Sequence, residues 1–215
     1  MKRRKLTSLL NAGLLLFALQ LNASAFSQQQ PECGTLFNQE LSGYSSSLPS
    51  VKSGNPLVVI PVVIHVLYNN PANNLTDTEV SQILTQLNMD FAKMNGDTAN
   101  IPPVWDTIAT NTNIHFCLAQ RDPGGAPSTG IERRNTVVNQ FSDQTSMKYY
   151  ASGGLDAWDP ANYFNIWVCN YLGPDGAHAF GVPPSFTLDL TYGVVVHRAW
   201  VGVGVTTLTH EVGHC

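Results

Sequence analysis

The sequence predicts an α/β fold in which helices cover a sheet of largely buried strands. Two observations predict it. Residues 57–68 are almost continuously apolar and rich in β-branched side chains, the pattern of a strand buried on both faces. A capped amphipathic helix follows. Thr76 is its N-cap, and Glu79, three residues on, completes a capping box. Val80, Ile83, Leu84, Leu87 and Phe91 recur at helical spacing and form one stripe able to cover a sheet. Strand followed by covering helix is the unit of α/β architecture. Hydrophobic residues make up 43% of the 215 residues and charged residues only 12%, enough for one real core and against disorder.

Pro61 lacks a backbone donor, so the regular part of the first strand is expected after it. Asn69-Asn70-Pro71 ends that strand. Residues 114–119 read as a second short strand, and Asp122-Pro123-Gly124-Gly125 as a turn. Residues 131–138 read as a third strand or extended segment. Residues 145–151 read as helix, stopped at Gly153-Gly154. Residues 163–169 form another strong strand pattern, 177–180 a candidate edge strand and 193–197 a further strand. A last helix is expected to start near Thr206 or Thr207.

The N-terminus carries an export pattern. Lys2, Arg3, Arg4 and Lys5 precede an apolar stretch through Leu19, and Ala23-Ser24-Ala25 offers a small-residue cleavage site. Residues 1–25 are therefore read as a signal peptide and the protein as secreted. Asn11 and Gln20 break the apolar stretch, which disfavours a membrane anchor, so no membrane association is expected after cleavage. Beyond Lys5 remain seven basic against fifteen acidic residues, which disfavours a nucleic-acid partner. Residues 26–56, rich in Ser, Gln, Gly and Pro, read as a propeptide or a plain leader. The folded domain is read as 57–215.

The chemistry concentrates in Thr209-His210-Glu211-Val212-Gly213-His214. Residues four apart on a helix share a face, so His210 and His214 can aim two imidazoles at one ion. Glu211, beside the first of them, can reach a metal-activated water as general base without becoming a ligand. The pattern points to zinc-dependent peptide hydrolysis. His65 and His115 lie in strands, where a hydrogen-bonded structural role is the expectation. His178 and His197 are weaker candidates for substrate contact.

These residues resemble the metzincin zinc peptidases, specifically the pappalysin group. The stretches that carry the resemblance include Ile60-Pro61-Val62-Val63-Ile64-His65-Val66, Gly130-Ile131-Glu132-Arg133, Asn165-Ile166-Trp167-Val168-Cys169 and the zinc motif itself. The resemblance implies a twisted, five-stranded, mostly parallel sheet with one antiparallel edge strand and backing helices. It implies His210 and His214 as zinc ligands and Glu211 as general base. The edge strand around Ala177, His178, Ala179, Phe180 and Gly181 is implied to hold extended protein or peptide substrates. The Gly and third His of the family's longer motif would fall beyond Cys215, as would a later Met-containing turn. The expectation is therefore a metzincin N-terminal subdomain without the C-terminal one, inactive as these residues alone. The alternative is a non-catalytic secreted domain whose degenerate two-histidine site binds protein or peptide. In related proenzymes a propeptide Cys occupies the open metal position. Cys33 is a candidate for that latency switch, with a disulfide or a free thiol as the other readings. Cys117 and Cys169 are expected either to pair with each other or to stay buried as thiols. An accessory calcium ion in a longer protein is left open.

Overall fold

The computed structural model describes residues 57–184 and 188–215. The expected signal and leader segments, Cys33 among them, lie outside the described residues. Among the described residues, six strands and three α-helices follow in the order β1 (Val58–Tyr68), α1 (Asp77–Phe91), α2 (Pro103–Asp106), β2 (Ile114–Leu118), β3 (Ile131–Asn135), β4 (Phe164–Cys169), β5 (Ala179–Gly181), β6 (Val194–His197) and α3 (Thr207–Val212).

The sheet runs β2-β1-β4-β6-β5, with β3 also on β1. Every pairing is parallel except β5 with β6. β2 pairs Val58 to Val62, whereas β3 pairs Ile64 to Tyr68, and β4 takes the opposite edge from Val62 to Val66. β2 and β3 thus lie end to end in one outer lane. The sheet is five lanes wide, as the resemblance implied, with six strands in them. Gly130 sits where one lane-mate hands over to the other. Its N–H-bearing backbone is at φ +68°, and a Cβ there would meet the Ala119 nitrogen at 2.6 Å. Only glycine fits that close, left-handed turn.

Pro61 corrects the expectation that regular structure starts after it: β1 begins at Val58. Alternate residues of a strand face alternate edges. Val58 donates to Asn113 and Val62 accepts from Ala119, so the even-numbered residues face β2. Pro61 faces the other edge, where β4 pairing begins only at Val62 with Phe164. Its missing donor costs no ladder bond.

The outer edge of β2 is closed by a side chain. Asn88 of α1 donates to the Phe116 carbonyl (2.9 Å) and accepts from the Phe116 N–H (2.8 Å), as a neighbouring strand would. The capping box of α1 is formed: Glu79 N–H donates to Thr76 Oγ1 at 3.2 Å, and Thr76 N–H donates to Glu79 Oε2 at 2.6 Å. The expected stripe packs the sheet, with Val80, Ile83, Leu84 and Leu87 buried and Phe91 against them. The helix expected at 145–151 is instead two 3-10 turns, Ser146–Lys148 and Tyr150–Ser152. The segment is too short to repay α-helix nucleation. It serves to insert Met147 and Lys148 into the opposite face of the sheet.

Two polar devices lie in that interior. His65, fully buried, stacks on Trp167 with ring centroids 4.9 Å apart. Its Nε2 lies 2.9 Å from Asn165 Oδ1, and its Nδ1 lies 2.8 Å from Glu132 Oε2. Asn165 is pinned in turn by the Trp158 backbone, accepting its N–H at 2.8 Å and donating to its carbonyl at 2.9 Å. Burial pushes the Glu132 carboxyl up, but hydrogen bonding to His65 and its charge outweigh that and hold it below its ordinary value. The structural role expected for His65 is what the contacts describe. His115 lies exposed on β2.

Of the two readings for Cys117 and Cys169, a mutual disulfide is absent: both are free thiols, Cys169 buried as expected and Cys117 only partly so. Cys117 is level with Pro61 on β1, while Cys169 follows the Val66–Val168 pair on the far side of it. About six residues of rise at ~3.3 Å each separate them along the sheet, whereas a disulfide needs Cα atoms within about 7 Å. Among the described residues no helix is long and apolar enough to cross a membrane.

Lys148 is fully buried; its ammonium donates to the Thr191 carbonyl and lies 5.1 Å from the Trp167 ring centroid and 4.8 Å from that of Phe180. Burial lowers its pKa from 10.5 to about 7. Between those values the unfolded chain holds the proton and the folded chain does not, so stability rises with pH across that window. Lys148→Met should therefore raise unfolding free energy by about 1–3 kcal/mol at pH 6, with the two ring faces offsetting part of the burial cost. The gain should shrink toward zero as pH approaches 10.5. Urea unfolding at several pH values checks it.

Candidate metal centre

α3 carries the motif. Leu208 and Val212 bury one of its sides in the main core, and Glu211 is 1% exposed. His210, exposed, and His214, partly exposed, face an open cleft of about 750 Å³. Asp90, Asn95 and Asp97 line its other wall. The two imidazoles converge: their Nε2 atoms are 3.2 Å apart, with ring planes at 83°. Two nitrogens at ~2.05 Å from a tetrahedral zinc stand about 3.3 Å from each other. The donor set and its spacing therefore fit two positions of such an ion. Among the described residues, no group of three or more His, Cys, Asp or Glu comes together to hold a metal.

Glu211 also lines the cleft, and its carboxylate reaches from there to the sheet edge. Its Oε2 accepts the Gly181 N–H at 2.8 Å. On β5, His178 O and Val182 N bond to β6, so Ala179 and Gly181 direct their backbone groups to the outer edge. The motif carboxylate and the edge strand are thus in direct contact. The approach is close: a Cβ at Gly181 would meet the Glu211 carbonyl oxygen at 2.3 Å.

The edge strand is shorter than expected, Ala179–Gly181 rather than 177–180. Ala177 precedes it, buried, after the Pro174–Gly176 turn. His178 lies at the far end of β5 from Glu211, packed between the His197 ring (5.6 Å) and the Trp200 ring (5.4 Å). His197 Nε2 lies 3.0 Å from Asn170 Oδ1 and its Nδ1 accepts the Ala199 N–H. Burial, then the nearby charges of His178 and Arg198, lower its pKa. Cys215 ends beside α3, its thiol 3.6 Å from the Glu211 carbonyl and pushed up to about 12 by burial.

The sequence reading missed Asp90, which lines the cleft, and Gln86 behind it. The two bond to each other at 2.8 Å on α1 and reach Thr209 of α3 and Gly204 just before that helix. Their signal was a polar pair at i, i+4 spacing on the margin of an otherwise apolar stripe.

A mostly parallel sheet with an antiparallel edge strand, and a His-Glu-Val-Gly-His helix against that edge, define the scaffold of a metzincin metallopeptidase. Solved structures of mirolysin are similar to this chain. The mature Tannerella forsythia protein in complex with a cleaved peptide is 39% identical with a TM-score of 0.70, matching 74% of this chain and 63% of that one. Mirolysin in complex with compound 9 is 38% identical with a TM-score of 0.69, over 74% and 63%. A Tannerella forsythia promirolysin mutant is 40% identical with a TM-score of 0.69, over 74% and 55%. The chain belongs to the pappalysin group of the metzincins. It spans less than two thirds of the length of these relatives. No protein-family model and no curated protein matches it.

Gly181→Ala should force α3 and β5 apart at the Glu211 carbonyl, costing about 1–3 kcal/mol of stability. Chemical denaturation of the variant against the parent measures it.

Proposed function

We propose that this chain carries the metal-binding helix and the substrate-pairing strand of a secreted zinc-dependent endopeptidase acting on peptide bonds in proteins. The observation that carries the reading is the 3.2 Å convergence of the His210 and His214 Nε2 atoms at one point of the cleft. These two side chains would hold zinc, which when bound supplies Lewis-acid polarisation of the scissile carbonyl and a more acidic water. Glu211 takes the proton of the attacking water and delivers it to the leaving amine. Its bond to Gly181 keeps the carboxylate at the edge of β5, where an extended peptide would pair. The cleaved peptide bound by mirolysin supports peptide substrates.

Export rests on the basic, apolar and small-residue succession of residues 1–25. Cys33 remains the candidate latency switch, since a thiolate is a good zinc ligand. A second reading, a non-catalytic secreted domain that binds protein or peptide, is favoured by one observation: the described residues gather only two ligands.

The test uses the full product of the native gene. Casein cleavage should vanish with a chelator and return with zinc. Glu211→Ala should lower kcat/KM by about 10²–10⁴ while zinc stays bound, and His210→Ala should lose both. Zinc binding without any chelator-sensitive cleavage would select the second reading.

A further inference from the structure

α3 has only six residues. A helix that short is not stable by itself, so its orientation comes from what it touches. On the sheet side Leu208 and Val212 pack apolar, and Glu211 adds one directed bond, accepting the Gly181 N–H at 2.8 Å. Apolar contacts are non-directional, so rotation about the helix axis rests on that bond and on what the far side supplies. On the cleft side α1 supplies directed bonds. Gln86, 6% exposed, accepts the Gly204 N–H on Oε1 at 2.7 Å and donates from Nε2 to Asp90 Oδ1 at 2.8 Å. Asp90 Oδ2 accepts the Thr209 hydroxyl. The two α1 residues thus grip the approach to α3 and the residue immediately before His210.

We propose that Asp90 is a positioning residue: acting through Thr209, it sets the rotation of α3 and so the point at which the His210 and His214 imidazoles meet. This rests on the metallopeptidase reading above. The carboxylate is suited to the task because it accepts from two donors at once. Gln86 orients it and Thr209 reads that orientation. A merely structural Asp90 would lower global stability when removed and leave the metal affinity of the folded protein unchanged.

The experiment uses the full native gene product, stripped of metal, with zinc affinity measured by chelator competition and amide exchange followed in the metal-free state. Asp90→Ala and Thr209→Val should each weaken zinc binding about tenfold, and the double variant no further. Thr209→Ser, which retains the hydroxyl, should restore affinity. Without metal, Asp90→Ala should speed exchange in α3 while β4 keeps its protection. Unchanged zinc affinity in Asp90→Ala, or additive losses in the double variant, would overturn the proposal. A parent protein that binds no zinc through His210 and His214 overturns the metallopeptidase reading and the proposal with it, and that outcome is visible before any variant is compared.

Discussion

Pairing of β1 along both edges is the constraint from which the rest of the structure follows. One edge takes β2 and then β3; the other takes β4, and through it β6 and β5. A parallel sheet of this kind must be covered on both faces, because its central strands are apolar on both. α1 supplies one cover, and the segment bearing Met147 and Lys148 contributes to the other. Register is not free to drift, since the buried His65–Asn165 contact joins β1 to β4 at one pair of rungs only. A one-residue slip would tear that contact apart as well as expose the apolar face.

The cleft sits where this order gives out. β5 is three residues long, and α3 is short, polar on one face and apolar on the other. Neither would persist alone. Each is held by contacts to the other, through Glu211 and Gly181, and by the larger body behind them. Bracing short elements against a rigid sheet gives the motif side chains defined positions at small structural expense.

The amphipathic period of α1, the apolar run of β1 and the His-Glu-Val-Gly-His spacing were all legible in the sequence, because each is a local pattern with a single physical reading. Contacts between distant residues were not. Pro61 looked like a strand breaker because nothing in its neighbourhood says which edge its nitrogen faces. The Cys117–Cys169 pairing looked open until the strand order placed β1 between them. Lys148 gave no hint of burial: a lone lysine between Met147 and Tyr149 is ordinarily solvated. Nothing near Gln86 and Asp90 in the sequence points to their partners, Gly204 and Thr209, which lie more than a hundred positions away.

The outer lane shared by β2 and β3 bears on how this architecture can change over evolutionary time. The chain leaves that lane at Leu118 and returns to it at Ile131, travelling the same direction on both visits. The detour between them includes the Asp122–Gly125 turn and touches the sheet mainly at its two ends, at Ala119 and Gly130. Residues can be gained or lost at its tip without moving either strand against β1. It is a natural point for lineages to diverge in length, and for an affinity tag or a reporter to be grafted on the side of the sheet farthest from β5.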